Sequence, residues 1–146
     1  MSGLALQRRR LSADERATFM ASAREVLAGT PGVVVAFLFG SAARDEPSAD
    51  LDVAVSFEGP ASEAGLRQLE DRLAEIAPTD HEVDVRLLDG ATPRFKANVL
   101  RDAVLLFESD EATRVKRVAR WSSEWADFEP VWRRMRDAMR DRWLRG

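Results

Sequence analysis

The chain has 146 residues, 45% of them hydrophobic and 32% charged, which is enough apolar material for one folded domain with its own core. It contains no cysteine and one histidine, so a disulfide framework, a zinc finger, a cysteine nucleophile and a thiolate- or imidazole-based metal site are excluded. Any metal site must use carboxylates, the ligands of hard cations such as magnesium.

The first half of the chain shows one helix and two strands. Ser12 and Glu15 form a capping-box signature ahead of a helix that ends near Gly29. The seven apolar residues 33–39 predict a central strand buried on both faces. From Asp50 the sequence alternates between apolar and polar residues, so we expect a second strand over residues 50–57.

The second half alternates helices with strands. The pattern predicts a helix over 62–77, a half-polar strand from 81 to 87, a short helix over 93–101 and a brief edge strand over 104–107. Two further helices, 111–125 and 131–143, are expected to be broken near Pro130. We therefore predict an α/β (α+β) core over residues 1–108, with a mixed sheet flanked by helices, and a C-terminal helical segment over 109–146.

The residues with potential chemical roles lie just after the first predicted strand and within the next two. Gly40 and Ser41 come directly after the buried strand, where glycine lets backbone N–H groups approach a phosphate and the following turn presents a helix N-terminus. Asp50 and Asp52 stand two apart on one strand, so both carboxylates project from one face and can share divalent cations. Asp84 is the natural third carboxylate, because it lies mid-strand on a polar face.

Each of these features also has a plainer interpretation. The Asp-x-Asp pair occurs at solvated strand edges, in calcium sites and in the metal motif of glycosyltransferases, although those domains are normally much larger. Asp80 and Glu82 share the predicted face of Asp84. Arg44 either contacts phosphate oxygens or pairs with a neighbouring carboxylate. His81 and the arginines at 8–10 are predicted to be solvated surface residues.

Taken together, these residues resemble the minimal nucleotidyltransferases (MNT) of the DNA polymerase β-like superfamily, over roughly residues 12–108. The resemblance rests on a Gly-Ser-x-Ala-Arg motif, a following Asp-x-Asp and a later aspartate between apolar residues. The matching residues are Gly40, Ser41, Arg44, Asp50, Asp52 and Asp84. Asp45 stands where the family usually has glycine, and Ala49 where it usually has serine.

The resemblance implies a polymerase β-like fold and a magnesium-dependent transfer of AMP from ATP. It implies that Gly40 and Ser41 bind the terminal phosphates of the nucleotide. It also implies that Asp50 and Asp52 hold two Mg²⁺ ions, while Asp84 ligates one of them and helps deprotonate the attacking hydroxyl. Small members of this family act as antitoxins of HEPN-domain RNase toxins, and the implied acceptor is a tyrosine hydroxyl of the toxin. Because this chain has no tyrosine, such a modification would act in trans.

The C-terminal segment differs from the core in charge and composition. Residues 1–109 carry 12 basic and 18 acidic side chains, whereas residues 110–146 carry 10 and 7. One face of the last helix presents large apolar side chains between arginines: Trp132, Met135, Met139 and Trp143. Trp, Met and Arg are enriched in interface cores, so we expect these four residues to bind a partner protein. Trp121 and Trp125 are instead expected to cap the domain core.

Two other functions remain open at this point. In one, the protein is an antitoxin that neutralises its partner by contact alone, and the aspartates are dispensable. In the other, it is a small-molecule nucleotidyltransferase of the aminoglycoside-modifying type, which would need a homodimer to build its acceptor pocket. The acidic net charge of −3 and the absence of a long apolar run favour a cytoplasmic protein that binds neither nucleic acid nor membrane.

Overall fold

A computed structural model of the chain describes residues 7–145. Four helices and four strands alternate irregularly along this part of the chain, and their bounds match the predicted elements within one or two residues, except at the C-terminus. In chain order they are α1 (Ala13–Ala28), β1 (Val33–Phe39), β2 (Asp50–Phe57), α2 (Glu63–Ile76), β3 (Glu82–Leu87), α3 (Pro93–Asp102), β4 (Val104–Glu108) and α4 (Glu111–Arg145).

The four strands form one mixed sheet in the order β3-β2-β1-β4. β1 pairs antiparallel with both of its neighbours, whereas β2 and β3 run parallel. This topology confirms a central β1 and an edge position for β4. Because β1 runs opposite to β2 and β3, its last residues lie beside the first residues of those two strands.

Helices cover both faces of the sheet. α1 and α2 pack on one face over a core that includes Phe19, Leu51 and Leu73. α3 and α4 pack on the other face, mainly over β1 and β4, around Val99 and Trp121. The predicted core role of Trp121 is confirmed, since the side chain is fully buried. The polar face of β3 remains open beside this second helical layer.

The N-terminus of α1 is capped as the sequence predicts. Ser12 and Glu15 form a complete capping box at α1, because each side chain bonds to the other residue's backbone N–H. The hydroxyls of Ser62 and Thr92 cap α2 and α3 by accepting from the backbone N–H of Gly65 and Phe95, without a reciprocal side-chain bond. None of the helices within residues 7–145 is long and apolar enough to cross a membrane.

The predicted break near Pro130 is wrong. α4 is continuous from Glu111 to Arg145, with Pro130 inside it. Proline removes one backbone hydrogen bond from a helix and costs about 3 kcal/mol, which neighbouring contacts can offset. Such contacts lie on both sides: the rings of Trp125 and Phe128 meet at 6.2 Å, and the guanidinium of Arg94 lies 4.5 Å from the centre of the Trp132 ring.

Candidate active site

The candidate site is built where β1 ends. Gly40 follows Phe39 with φ +75°, a conformation that glycine adopts readily and other residues rarely do. Phe39 is paired with Asp52 on β2, which places the Asp52 carboxylate directly beside Gly40. A Cβ atom on residue 40 would lie 2.5 Å from Asp52 Oδ2. Glycine is therefore favoured here for two separate reasons, backbone conformation and space.

The three predicted aspartates lie on one face of the sheet. β2 places Asp50 and Asp52 two residues apart, and the parallel register sets Asp84 of β3 directly across from Asp52. The register places Glu82 beside Asp50 and leaves Asp80 before the strand begins. Of the three acidic residues that share a predicted face, Asp84 is thus the one opposite Asp52.

The electrostatics of Asp52 reflect this crowding. Its pKa is raised above the ordinary carboxyl value, first because the group is partly buried and then because Asp84 and Asp50 are negatively charged neighbours. Asp50 is exposed, and Asp84 accepts a 3.1 Å hydrogen bond from Arg86 Nε. A bound cation would relieve the repulsion around Asp52.

The donor set fits a hard divalent cation, because it consists of carboxylate oxygens on adjacent strands. Because Gly40 has no side chain, the Asp52 carboxylate has room to occupy this position. Within residues 7–145, however, no three acidic, histidine or cysteine side chains converge in a ready metal-binding cluster. Asp84 would have to exchange its bond to Arg86 for a bond to the cation.

The loop after Gly40 differs from the prediction. Residues 41–45 form a hydrogen-bonded turn rather than the start of a helix. In this turn Arg44 N–H donates to the Gly40 carbonyl and Glu46 N–H donates to the Ser41 carbonyl. The Gly40–Ser41 backbone therefore lies in a tight turn beside Asp52, without a helix dipole behind it. Asp45 has φ +56°, which explains why glycine is usual at this position in the family it resembles.

Arg44 is held by carboxylates on both sides. Its Nε donates to Glu46 at 3.0 Å, as one of the two sequence interpretations anticipates, and its Nη1 donates to Asp102 at the end of α3 at 3.3 Å. These pairs raise the pKa of Arg44, with the Glu46 hydrogen bond as the largest cause. The guanidinium lies at the mouth of the site, more than one third exposed.

The sequence-based assignment of His81 to the solvated surface is wrong, whereas Arg9 keeps more than one third of its side chain exposed. The His81 side chain is fully buried, and it lies between Ser48 and Asp80 at the starts of β2 and β3. Arg9 forms ion pairs with Glu15 and Asp80. No periodicity marks these residues, because their partners lie up to 71 residues away.

Three of the four residues predicted to bind a partner are exposed. Met135, Met139 and Trp143 lie with Val131 in one row at a spacing of four residues, and Trp143 is 84% exposed. Trp132 is partly buried beneath Arg94. A separate cavity of about 420 Å³, between the start of β1 and α2, lies at the opposite end of the sheet and contains none of the site residues.

Comparison with known proteins agrees with this architecture. The family described as "Polymerase beta, Nucleotidyltransferase" matches residues 22–112, a range that includes all six predicted site residues of the core. The chain belongs to this nucleotidyltransferase family. Comparison with curated proteins found no significant similarity.

Solved structures give a closer view of the fold. The chain is similar to a chain from a complex of a tri-AMPylated Shewanella oneidensis HEPN toxin with an MNT antitoxin, at 20% identity and a TM-score of 0.60, covering 85% of this chain and 98% of that one. A toxin–antitoxin structure with AMP-PNP matches at 20% identity and a TM-score of 0.61, covering 82% and 98%. A structure described as that of a minimal nucleotidyltransferase matches at 27% identity and a TM-score of 0.54, covering 64% and 95%. The predicted fold class and the resemblance to minimal nucleotidyltransferases are thus confirmed.

Proposed function

We propose that this protein is a nucleotidyltransferase antitoxin that transfers AMP from ATP to a hydroxyl, a tyrosine hydroxyl by resemblance, of a HEPN-domain toxin. The observation that carries the proposal is the placement of Asp52 between Asp50 and Asp84, with Gly40 packed against its carboxylate. Similar chains come from toxin–antitoxin structures, one with an AMPylated toxin and one with an ATP analogue. The absence of tyrosine from this chain agrees with an acceptor on another protein.

In this proposal the turn after β1 binds the nucleotide. The backbone at Gly40 and the Ser41 side chain contact the β- and γ-phosphates. Arg44 lies at the mouth of the site and exchanges its contacts with Glu46 and Asp102 for phosphate oxygens, to which a guanidinium is well matched. The toxin hydroxyl attacks the α-phosphorus in line, a new P–O bond forms to AMP, and pyrophosphate leaves with the electrons of the broken bond.

The three aspartates provide the remaining chemistry. Asp50, Asp52 and Asp84 would hold Mg²⁺, which when bound neutralises charge on the attacking and leaving oxygens. Asp84 is on the outermost strand beside the open face of the sheet, so we assign it the proton of the incoming hydroxyl. The protein's own contribution is to orient the nucleotide and the acceptor.

The toxin docks on the exposed row of α4, which we name the C-terminal row: Val131, Met135, Met139 and Trp143. The row spans about 18 Å along the helix, given a rise of 1.5 Å per residue. Its members are 41–84% exposed. A row of large apolar side chains exposed to water is unusual on a protein surface and typically marks a site that another protein covers. Arginines flank it, and Arg136 and Arg140 both lie near Asp137.

The test is intact mass spectrometry of the HEPN partner after incubation with this protein, ATP and Mg²⁺. We expect a gain of one or more AMP masses, abolished by EDTA and by Asp52→Asn. Asp71→Asn is the matched control, because Asp71 is an exposed carboxylate on α2 outside the site. Equal modification by wild type and Asp52→Asn would contradict the mechanism.

Contact-only neutralisation is the second candidate, and the C-terminal row favours it independently of the site. It predicts a stable complex with no mass gain, and rescue from toxicity by an Asp50→Asn/Asp52→Asn double variant. Loss of rescue in that variant would exclude it.

A further inference from the structure

Four residues close a ring of hydrogen bonds at the point where β2 and β3 begin. We name this the strand-start ring: Arg9, Ser48, Asp80 and His81. The backbones of Arg9 and Ser48 bond in both directions, at 3.0 and 2.8 Å. The Arg9 guanidinium donates to Asp80, His81 Nδ1 lies 3.0 Å from Asp80 Oδ1, and His81 Nε2 lies 3.1 Å from Ser48 Oγ.

The chemistry of these groups defines the donors. A carboxylate only accepts, so His81 Nδ1 carries the proton directed at Asp80. In the neutral imidazole Nε2 is then an acceptor, and the Ser48 hydroxyl donates to it. The order Ser–His–Asp matches a hydrolase triad, but Ser48 is only 2% exposed, so no substrate can reach its hydroxyl. The ring therefore has a structural role and does not supply a nucleophile.

The ring sits one step before the candidate metal ligands. The first ladder bond between β2 and β3 joins the Glu82 N–H to the Ala49 carbonyl at 3.0 Å. The Ser48–His81 bond adds a side-chain link just ahead of it, and the strands then place Asp52 across from Asp84. Any change in how the two strands start moves one set of carboxylates relative to the other.

The apolar pattern alone does not define this register. Both strands alternate with a period of two, so sliding β3 by two residues, about 6.6 Å, keeps every apolar side chain on its own face. Such a slip would bring Glu82 or Arg86, instead of Asp84, across from Asp52. A bond between one buried hydroxyl and one buried imidazole exists in only one register, because either group would otherwise be buried without a partner.

We propose that Ser48 and His81 are positioning residues that lock β2 and β3 in the register required for cation binding by Asp50, Asp52 and Asp84. The inference rests on the proposed function only in assigning a cation to those aspartates. Replacing residues that orient metal ligands typically lowers metal affinity about 10- to 100-fold. The lock therefore acts on the metal dissociation constant as well as on stability.

The test is an electron paramagnetic resonance titration of the purified full chain with Mn²⁺, alongside thermal unfolding. We expect Ser48→Ala and His81→Asn to raise the Mn²⁺ dissociation constant about 10-fold or more. His81→Asn retains an amide near the Nδ1 position, whereas His81→Gln reaches the Nε2 position and Ser48. His81→Gln is therefore expected to restore much of the affinity.

Val33→Ala is the stability control, because Val33 is a buried residue at the far end of β1. It is expected to lower the melting temperature without changing the Mn²⁺ dissociation constant. If Ser48→Ala and His81→Asn lower only the melting temperature, the register lock is refuted and the ring is merely structural. A wild-type chain that binds no Mn²⁺ overturns both the metal site and the lock, whereas Mn²⁺ binding without AMP transfer to the toxin overturns only the proposed function.

Discussion

Gly40→Ala is the sharpest test of the site, because the structure separates its effect on folding from its effect on chemistry. Alanine at φ +75° costs about 1–2 kcal/mol of stability, which corresponds to a melting temperature lower by about 2–8 °C in a chain of this size. The new Cβ would also lie 2.5 Å from Asp52 Oδ2, whereas ordinary contact begins at 3.4 Å. The carboxylate must therefore retreat by about 0.9 Å.

A displacement of about 1 Å at a reacting centre can lower a rate about 100-fold, so we expect a loss of AMP transfer of that size. Gly59→Ala is the matched control: Gly59 has φ +81°, and a Cβ there would meet no atom within 4 Å. Both variants should lose similar stability by thermal unfolding, and only Gly40→Ala should lose transfer measured by mass gain on the toxin. Equal transfer rates in the two variants would refute the assignment of Asp52 to the chemistry.

Three further predictions follow from the charges and the packing. Because burial and the neighbouring carboxylates raise the pKa of Asp52, its ionised form destabilises the fold above the ordinary carboxyl pKa. Without metal, Asp52→Asn should therefore raise the melting temperature at pH 7 and give no gain below about pH 4, where the carboxyl group is protonated in both the folded and the unfolded chain. Calorimetry at pH 7 and below about pH 4 checks the direction of this change in melting temperature. A wild-type chain that melts above Asp52→Asn at pH 7 in EDTA would contradict the prediction. Met139→Glu and Trp143→Glu should weaken toxin binding by at least about 10-fold in titration calorimetry without altering the melting temperature, and unchanged affinity would remove the C-terminal row from the interface. Trp121→Ala should cost about 3–5 kcal/mol in denaturant unfolding, since its side chain is fully buried between α4 and the sheet; a loss below 1 kcal/mol would show that α4 is not part of the core.

Local signals in the sequence were sufficient for most of the fold. The capping box at Ser12 and the periods of 3.6 and 2 depend only on residues close together in the chain, and the helices and strands followed them. The same period places Asp50 and Asp52 on one face of β2, whatever that strand packs against. The Gly40–Ser41 turn could also be predicted locally, because it directly follows the apolar run of β1.

What the tertiary structure alone decided is the pairing between distant segments. Period two placed Asp80, Glu82 and Asp84 on one predicted face, and only the register of β3 against β2 showed that Asp84 lies directly across from Asp52. The burial of His81 and the continuity of α4 through Pro130 likewise depend on residues that the chain brings together after folding. Side-chain alternation determines which face of a strand a residue occupies, but hydrogen bonds between strands determine its neighbour. The sequence therefore identifies the carboxylates, and the fold sets Asp52 and Asp84 side by side on adjacent strands.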